Sequence, residues 1–401
     1  MNGYRCIACN TQQGADFAGF TCPACGCNLD ITYNYEAIGP DFGAGEGIFR
    51  FESLLPCREP GTKLPLKVGG TPLYRAERLG ASAGLGNVWL KDETGNPSSS
   101  IKDRASAVAL LRAMETGAST VAVASTGNAG SSTACLAAAM GLRVVVFVPE
   151  KAPVAKLAQS LAYGARVLAV RGSYDDAYDL CLRVCDEHGW FNRSTGHNPF
   201  TREGKKTSSL EIWEQLGQVP DRVIVPTGDG NILSGVWKGW RDLHRSGLID
   251  RLPRIDCAQS AGSAAIVRAI KRIRERAQEP DWRSVDIESV AASTVADSIS
   301  VDQPRDGLAA VRAVIESGGE AVTVPDDEIL AAIGELASTA GVFAEPAAAA
   351  PWAAAKQLAA NGRIGKDETV VLLITGNGLK DVAALPAIKP ELVDVDFDLD
   401  D

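Results

Sequence analysis

VWLKDETGNPSSSIKDRAS, residues 88–106, changes from strand to helix character within a single turn. Val88–Leu90 is a short apolar run. A polar turn with Gly95 and Pro97 follows, and Pro97 holds the residue before it out of the helical region. From about Ser100 the pattern becomes helical, so Lys102 falls in the first helical turn. An ammonium there faces the positive end of the helix dipole. Two readings account for it: a solvated lysine paired with Asp103, or an amine kept neutral as an imine with a carbonyl compound.

The same alternation continues outward. VAVAS (121–125), VVVFVP (144–149), RVLAV (166–170), RVIVP (222–226) and VVLLIT (370–375) are continuous apolar runs rich in β-branched residues. Such runs mark strands buried on both faces. Helical stretches lie between them at 101–116, 128–140, 174–188 and 203–216. Strands alternating with helices give parallel sheets covered by helices. There are too many units for one small sheet, which predicts an α/β protein with two α/β domains around a cleft. Ligands in such folds sit beyond the C-terminal ends of strands. Polar, glycine-bearing turns fall there: STGN after VAVA, TGDGN after VIVP and TGNG after VLLI. Three such turns point to one composite site.

Residues 1–35 differ in composition. They hold Cys6, Cys9, Cys22 and Cys25 as two C-x-x-C pairs, with Cys27 nearby. Two such knuckles supply the tetrahedral sulfur set that zinc prefers, and a closed four-thiolate site is structural. Iron is the other chemically admissible ion. Residues 36–70 read as a linker and an arm. The tail 391–401 is acidic and reads as a solvated end.

The net charge of −10 argues against a nucleic-acid carrier. No run is apolar and long enough to span a bilayer, and the N-terminus lacks a signal-peptide core. Reduced, mostly buried cysteines together with a metal knuckle predict a cytoplasmic protein acting on a small molecule, with no nucleic-acid or membrane partner.

The spacing Lys91, Glu93, Asn96, Pro97, Ser100, Lys102, Asp103, Arg104 resembles the signature of fold-type II (tryptophan synthase β-like) pyridoxal-phosphate enzymes. Nearly the whole chain is similar to their threonine synthase-like group, including GTPL (70–73) and the N-terminal cysteine pairs. The resemblance implies a large cofactor-binding domain from 36–105 and 206–390 and a small domain at 106–205. It makes Lys102 the cofactor-bearing, catalytic lysine. Asn128 would meet the cofactor's phenolic oxygen, and Thr375 its pyridine nitrogen. A hydroxyl there does not keep the nitrogen protonated, which favours elimination and replacement over transamination. Gly228, Asp229, Gly230 and Asn231 would cradle the phosphate at a helix N-terminus. Ser125 and Thr126 would hold the substrate carboxylate. A homodimer is also implied.

The implied reaction converts O-phosphohomoserine and water into threonine and phosphate. One segment departs from the group's pattern. Where its phosphate-gripping asparagine and arginine stand, this chain has Thr195 and Thr201, although Asn198 is kept and is expected to bind substrate. Arg202 is then the nearest cation for a substrate phosphate, with Lys205 and Lys206 behind it. The alternative is a sister activity on the same cofactor. That would be an ammonia-lyase of the threonine/serine type, or β-replacement on phosphoserine or a similar amino acid.

Overall fold

A computed structural model describes residues 1–57, 64–276 and 281–385. The acidic tail lies outside the described residues, as do 386–390 of the expected large domain. The chain starts as an antiparallel ribbon of β1 (Gly3–Cys6), β2 (Gln12–Gly14) and β3 (Leu29–Thr32), in the order β2-β1-β3. The arm that follows is packed against the body. Ile48, Phe51 and Leu54 on a 3₁₀ segment are fully buried.

Strand β4 (Leu73–Arg75), helix α1 (Glu77–Ser82), strand β5 (Asn87–Asp92) and helix α2 (Lys102–Glu115) come next. A four-stranded parallel sheet is then laid down by β6 (Thr120–Ala124), α3 (Asn128–Met140), β7 (Arg143–Pro149), α4 (Val154–Ala162), β8 (Arg166–Val170), α5 (Tyr174–His188) and β9 (Phe191–Asn192). Its order is β8-β7-β6-β9. Every residue of β6 is buried, whereas β8 at the edge is half exposed.

Helix α6 (Phe200–Leu216) returns the chain to the larger sheet. That sheet is completed by β10 (Arg222–Pro226), α7 (Asn231–Arg245), β11 (Arg254–Ser260), α8 (Ala265–Arg276), α9 (Gly307–Ser317), β12 (Ala321–Val324), α10 (Asp326–Ala340), α11 (Pro346–Ala360) and β13 (Thr369–Ile374). The order is β12-β11-β10-β13-β5-β4, parallel except for the short antiparallel edge β4. β13 inserts between β5 and β10, so the loops after all three strands open side by side on one edge. The two-domain α/β expectation holds. β11 escaped the sequence reading because Asp256, Gln259 and Ser260 interrupt its apolar run. Asp256 is nevertheless buried, because Arg222 donates to both its oxygens at 2.8 and 2.9 Å.

The ribbon seats on α6 and α7. Tyr33 Oη donates to Glu203 at 2.6 Å, and the Lys206 amine lies 4.0 Å from the Tyr33 ring centre. Asn28 Nδ2 donates to the Gly196 carbonyl at 2.5 Å.

Candidate active site

The turn between β5 and α2 is anchored by buried charges. Arg104 Nε donates to Glu93 at 2.6 Å, and its two Nη groups donate to Glu211 at 2.7 and 2.6 Å. Lys91 Nζ reaches Glu211 at 2.7 Å and the Thr71 carbonyl at 2.7 Å. Asn96 Nδ2 donates to Glu93 at 2.9 Å. The motif residues around Lys102 therefore hold its loop to the sheet. Asp103 faces back into that loop, accepting from Ser98 N and Ser98 Oγ at 2.6 Å each. It does not pair with Lys102, which removes the solvated ion-pair reading.

Lys102 is the first residue of α2 and opens on a cavity of about 440 Å³. Burial pushes its amine below the ordinary lysine range. Asp229 opposes that shift, Arg193 adds to it, and Glu345 opposes it. Ser125, Thr126, Asn128, Thr195 and Asp229 line the same cavity. Two helix starts meet there, those of α3 and α7. At α7 the amides of Gly228, Asp229 and Gly230 have no hydrogen-bond partner among the described residues, while the Asn231 amide donates to Asp229 Oδ1 at 3.1 Å. At α3 the amides of Thr126, Asn128 and Ala129 are likewise unpaired among the described residues. Unpaired amides at helix N-termini are receptors for anions. The turn at 228–230 requires glycine. A Cβ on Gly228 would come within 2.9 Å of Ile299 Cα, and Gly230 has φ +95° with Asp306 O at 2.7 Å from a Cβ.

Thr375 is buried at the end of β13, and its carbonyl accepts from Ile101 N at 2.9 Å. Its loop is thus joined to the loop of Lys102, with a further bridge between Ser100 and Gly376. Sequence reasoning assigned no role to Glu345 or Ser298. Asn128 Nδ2 lies 2.9 Å from both Glu345 carboxylate oxygens and 3.3 Å from Ser298 Oγ. Burial raises the Glu345 carboxyl above its ordinary range. The segments TVADSIS and FAEPAAA carry these two residues, and their polar residues inside otherwise apolar runs were the available signal.

Two expected substrate contacts do not belong to the cleft. Arg202 points away from it, donating to Asp306 at 2.5 Å and to Asp30 of the ribbon at 2.7 Å. One position along a helix turns a side chain by about 100°, which carries residue 202 off the cavity side. Asn198 is spent on its own loop: Nδ2 donates to the Asn192 carbonyl at 2.7 Å and Oδ1 accepts from Phe200 N at 2.9 Å. Asp30 keeps Arg312 at 3.2 Å and Arg241 at 3.6 Å, but replacing Arg202 by methionine leaves the buried Asp306 without a cation and costs about 3–5 kcal/mol of stability. Chemical denaturation measures that cost. The requirement for a phosphate-bearing substrate should change no more than that for an uncharged analogue.

At the ribbon, Cys6 Sγ lies 3.4 Å from Cys25 Sγ, and Cys9 Sγ lies 3.6 Å from Cys22 Sγ. All four sulfurs fall within 4.8 Å of one another, and Cys27 is not among them. Tetrahedral zinc with Zn–S bonds near 2.3 Å sets sulfurs about 3.8 Å apart, so the arrangement matches a metal knuckle.

The family described as "Pyridoxal-phosphate dependent enzyme" matches residues 64–376. The chain belongs to that family. It is 38% identical over 407 residues to "Threonine synthase" of Methanosarcina acetivorans, covering 99% of this chain and 97% of that protein. It is 37% identical over 403 residues to "Threonine synthase" of Methanocaldococcus jannaschii, covering 98% and 97%. The fold resembles that of maize serine racemase, with a TM-score of 0.65 and 21% identity over 77% of this chain and 88% of that one. The residues fit the family's cofactor. A partly buried lysine on the cavity wall, its amine pushed toward neutrality, suits an aldehyde. Three unpaired amides behind obligatory glycines suit a phosphate. Ser100 Oγ, two residues from Lys102, is buried and has no hydrogen-bond partner among the described residues. Among those residues no helix is long and apolar enough to cross a membrane.

Proposed function

We propose that this enzyme is a threonine synthase, converting O-phosphohomoserine and water into threonine and phosphate. The observation that carries the reading is similarity to proteins of that name along nearly the whole chain, ribbon included. When bound, pyridoxal phosphate supplies an electron sink that acidifies the C–H bonds beside the substrate's amino group. Lys102 would hold it. The Lys102 amine would also be the base and acid that moves protons at the substrate's Cα and Cβ. Amides at the α3 start, with Ser125 and Thr126, would hold the substrate carboxylate. Those at Gly228, Asp229, Gly230 and Asn231 would hold the cofactor's phosphate, while Asn128 and Thr375 would face its ring oxygen and nitrogen. Homodimeric assembly and a cytoplasmic setting belong to the same proposal.

The withdrawal of Arg202 is the one observation that favours a second reading, an ammonia-lyase or a β-replacement enzyme on phosphoserine or a similar amino acid. A substrate panel separates the two. The synthase releases phosphate and threonine in equal amounts from O-phosphohomoserine. Ammonia and a keto acid from threonine or serine, with no phosphate from phosphohomoserine, would refute it.

Structural zinc at Cys6, Cys9, Cys22 and Cys25 is part of the proposal. One ion per chain is expected by metal analysis of fresh protein. Because β3 carries Asp30 onto Arg202, Cys22→Ser should lower the melting temperature and yield more than it lowers kcat in the surviving enzyme. Loss of turnover at unchanged stability would show that the ribbon serves the chemistry directly.

A further inference from the structure

Lys91, Arg104, Arg202, Lys206, Arg222 and Lys238 are buried, and each has a carboxylate within 4.0 Å. Two other buried cations, Lys205 and Arg193, have none among the described residues. Lys205 is 0% exposed, and its side chain makes one hydrogen bond, from Nζ to Asn231 Oδ1 at 2.5 Å. Arg193 is also 0% exposed. Its Nε donates to Ser106 Oγ at 3.1 Å, Nη1 to Thr195 Oγ1 at 2.9 Å and Nη2 to the Lys102 carbonyl at 3.5 Å. All three acceptors are neutral. A buried charge without a counter-ion is costly. Arg193 is joined to the cavity wall through Thr195 and Lys205 to the α7 start through Asn231, and two such cations imply an anion beyond those carboxylates.

The contacts of the two cations locate that anion. Asn231 begins α7, next to the unpaired amides of Gly228, Asp229 and Gly230. Thr201 Oγ1, one turn before Lys205 on α6, also meets Asn231 Oδ1 at 3.4 Å, so that helix face is turned to the α7 start. On the other side, Thr195 lines the cavity. Its oxygen already accepts from Arg193, which leaves its own proton to donate into the cavity. The fields of both cations add to that of the α7 N-terminus. Asp229 offsets one positive charge at most, and a dianion balances the rest.

We propose that Lys205 and Arg193 form a phosphate receptor, setting the affinity of the cleft for a phosphate monoester dianion held between the α7 start and Thr195. Burial, followed by the Lys102 charge, pushes the Lys205 amine well below its ordinary range. A dianion pulls it back, so Lys205 gains charge as the ligand arrives. The phosphate has two possible sources, the cofactor's own and that of the substrate. The second rests on the threonine synthase reading; the first does not.

The test uses Lys205→Met and Arg193→Gln, checked for native circular dichroism. In one arm, cofactor-stripped protein is titrated with pyridoxal phosphate and, separately, with pyridoxal, following visible absorbance. In the other, holoenzyme is titrated calorimetrically with inorganic phosphate. The receptor predicts binding weakened by about tenfold to a hundredfold in at least one arm, with pyridoxal unaffected. Loss in the first arm assigns the seat to the cofactor; loss in the second assigns it to the leaving group. Wild-type affinity in both arms, or an equal loss for pyridoxal, overturns the proposal. If Lys205→Met does not fold, Lys205→Gln keeps a donor to Asn231 without the charge and carries the same test. A wild-type enzyme that releases no phosphate from phosphohomoserine, with variants that still lose phosphate affinity, refutes the synthase reading and leaves the receptor standing.

Discussion

Lys102→Ala yields a folded protein that binds no cofactor covalently and turns over no substrate. The visible band of the bound cofactor disappears, and activity falls by roughly a thousandfold or more, since the proposed assignment makes one side chain both the attachment point and the proton carrier. Two other amines near the cleft, those of Lys91 and Lys380, are committed elsewhere. Lys91 is fixed on Glu211, Thr71 and Gln215. Lys380 donates to the Ser98 carbonyl at 2.7 Å and to Gln159 at 2.7 Å. The fold survives because Lys102 faces the cavity and holds no ion pair among the described residues, while the loop is secured by Asp103 and Arg104. Absorbance and thermal unfolding of the variant check both halves.

Arg104→Met should produce a large loss of stability. Arg104 and Lys91 together face Glu93 and Glu211, and all four side chains are almost fully buried. Removing the guanidinium leaves two buried carboxylates with one ammonium between them. Breaking such a pair costs about 3–5 kcal/mol, against roughly 5–15 kcal/mol for a whole domain. The pH dependence follows the same network. Burial alone raises the Glu211 carboxyl, but Arg104 and Lys91 outweigh it and hold it at about 2, below the ordinary 4.5. A depressed carboxyl contributes stability that is complete above the unfolded value. The contribution is lost as pH falls from about 4.5 toward 2. Denaturation curves across that range should steepen the acid loss in the wild type and flatten it in Arg104→Met, where the depression is largely gone.

Much of the site was legible because its chemistry is local. Lys102 stands out as a lysine in a first helical turn, and the three polar turns follow recognisable buried runs. The cysteine spacing defines its own cluster. What escaped depends on direction and on distant partners. Arg202 is one residue from a position that faces the cleft side, yet its partners are Asp30, far upstream, and Asp306, far downstream. Helix α6 carries the charged residues Arg202, Glu203, Lys205, Lys206 and Glu211. It is buried because the ribbon, α2 and α7 enclose it. No periodicity announces that: Lys206 does meet Glu203 one turn away at 2.6 Å, but Arg202, Glu211 and Lys206 also pair with residues remote in sequence, and Lys205 meets only the neutral Asn231. Arg193 has the same character: nothing around it in the sequence shows that its counter-ion is missing.

We propose that Lys102, at the start of α2 between the two open helix N-termini, carries the cofactor. Borohydride reduction of the holoenzyme followed by peptide mapping tests it most directly. A single modified peptide spanning 88–106, with the label on Lys102, is the expected result. A label on Lys91, Lys205 or Lys380, or no label on a protein that retains its visible band before reduction, would contradict it.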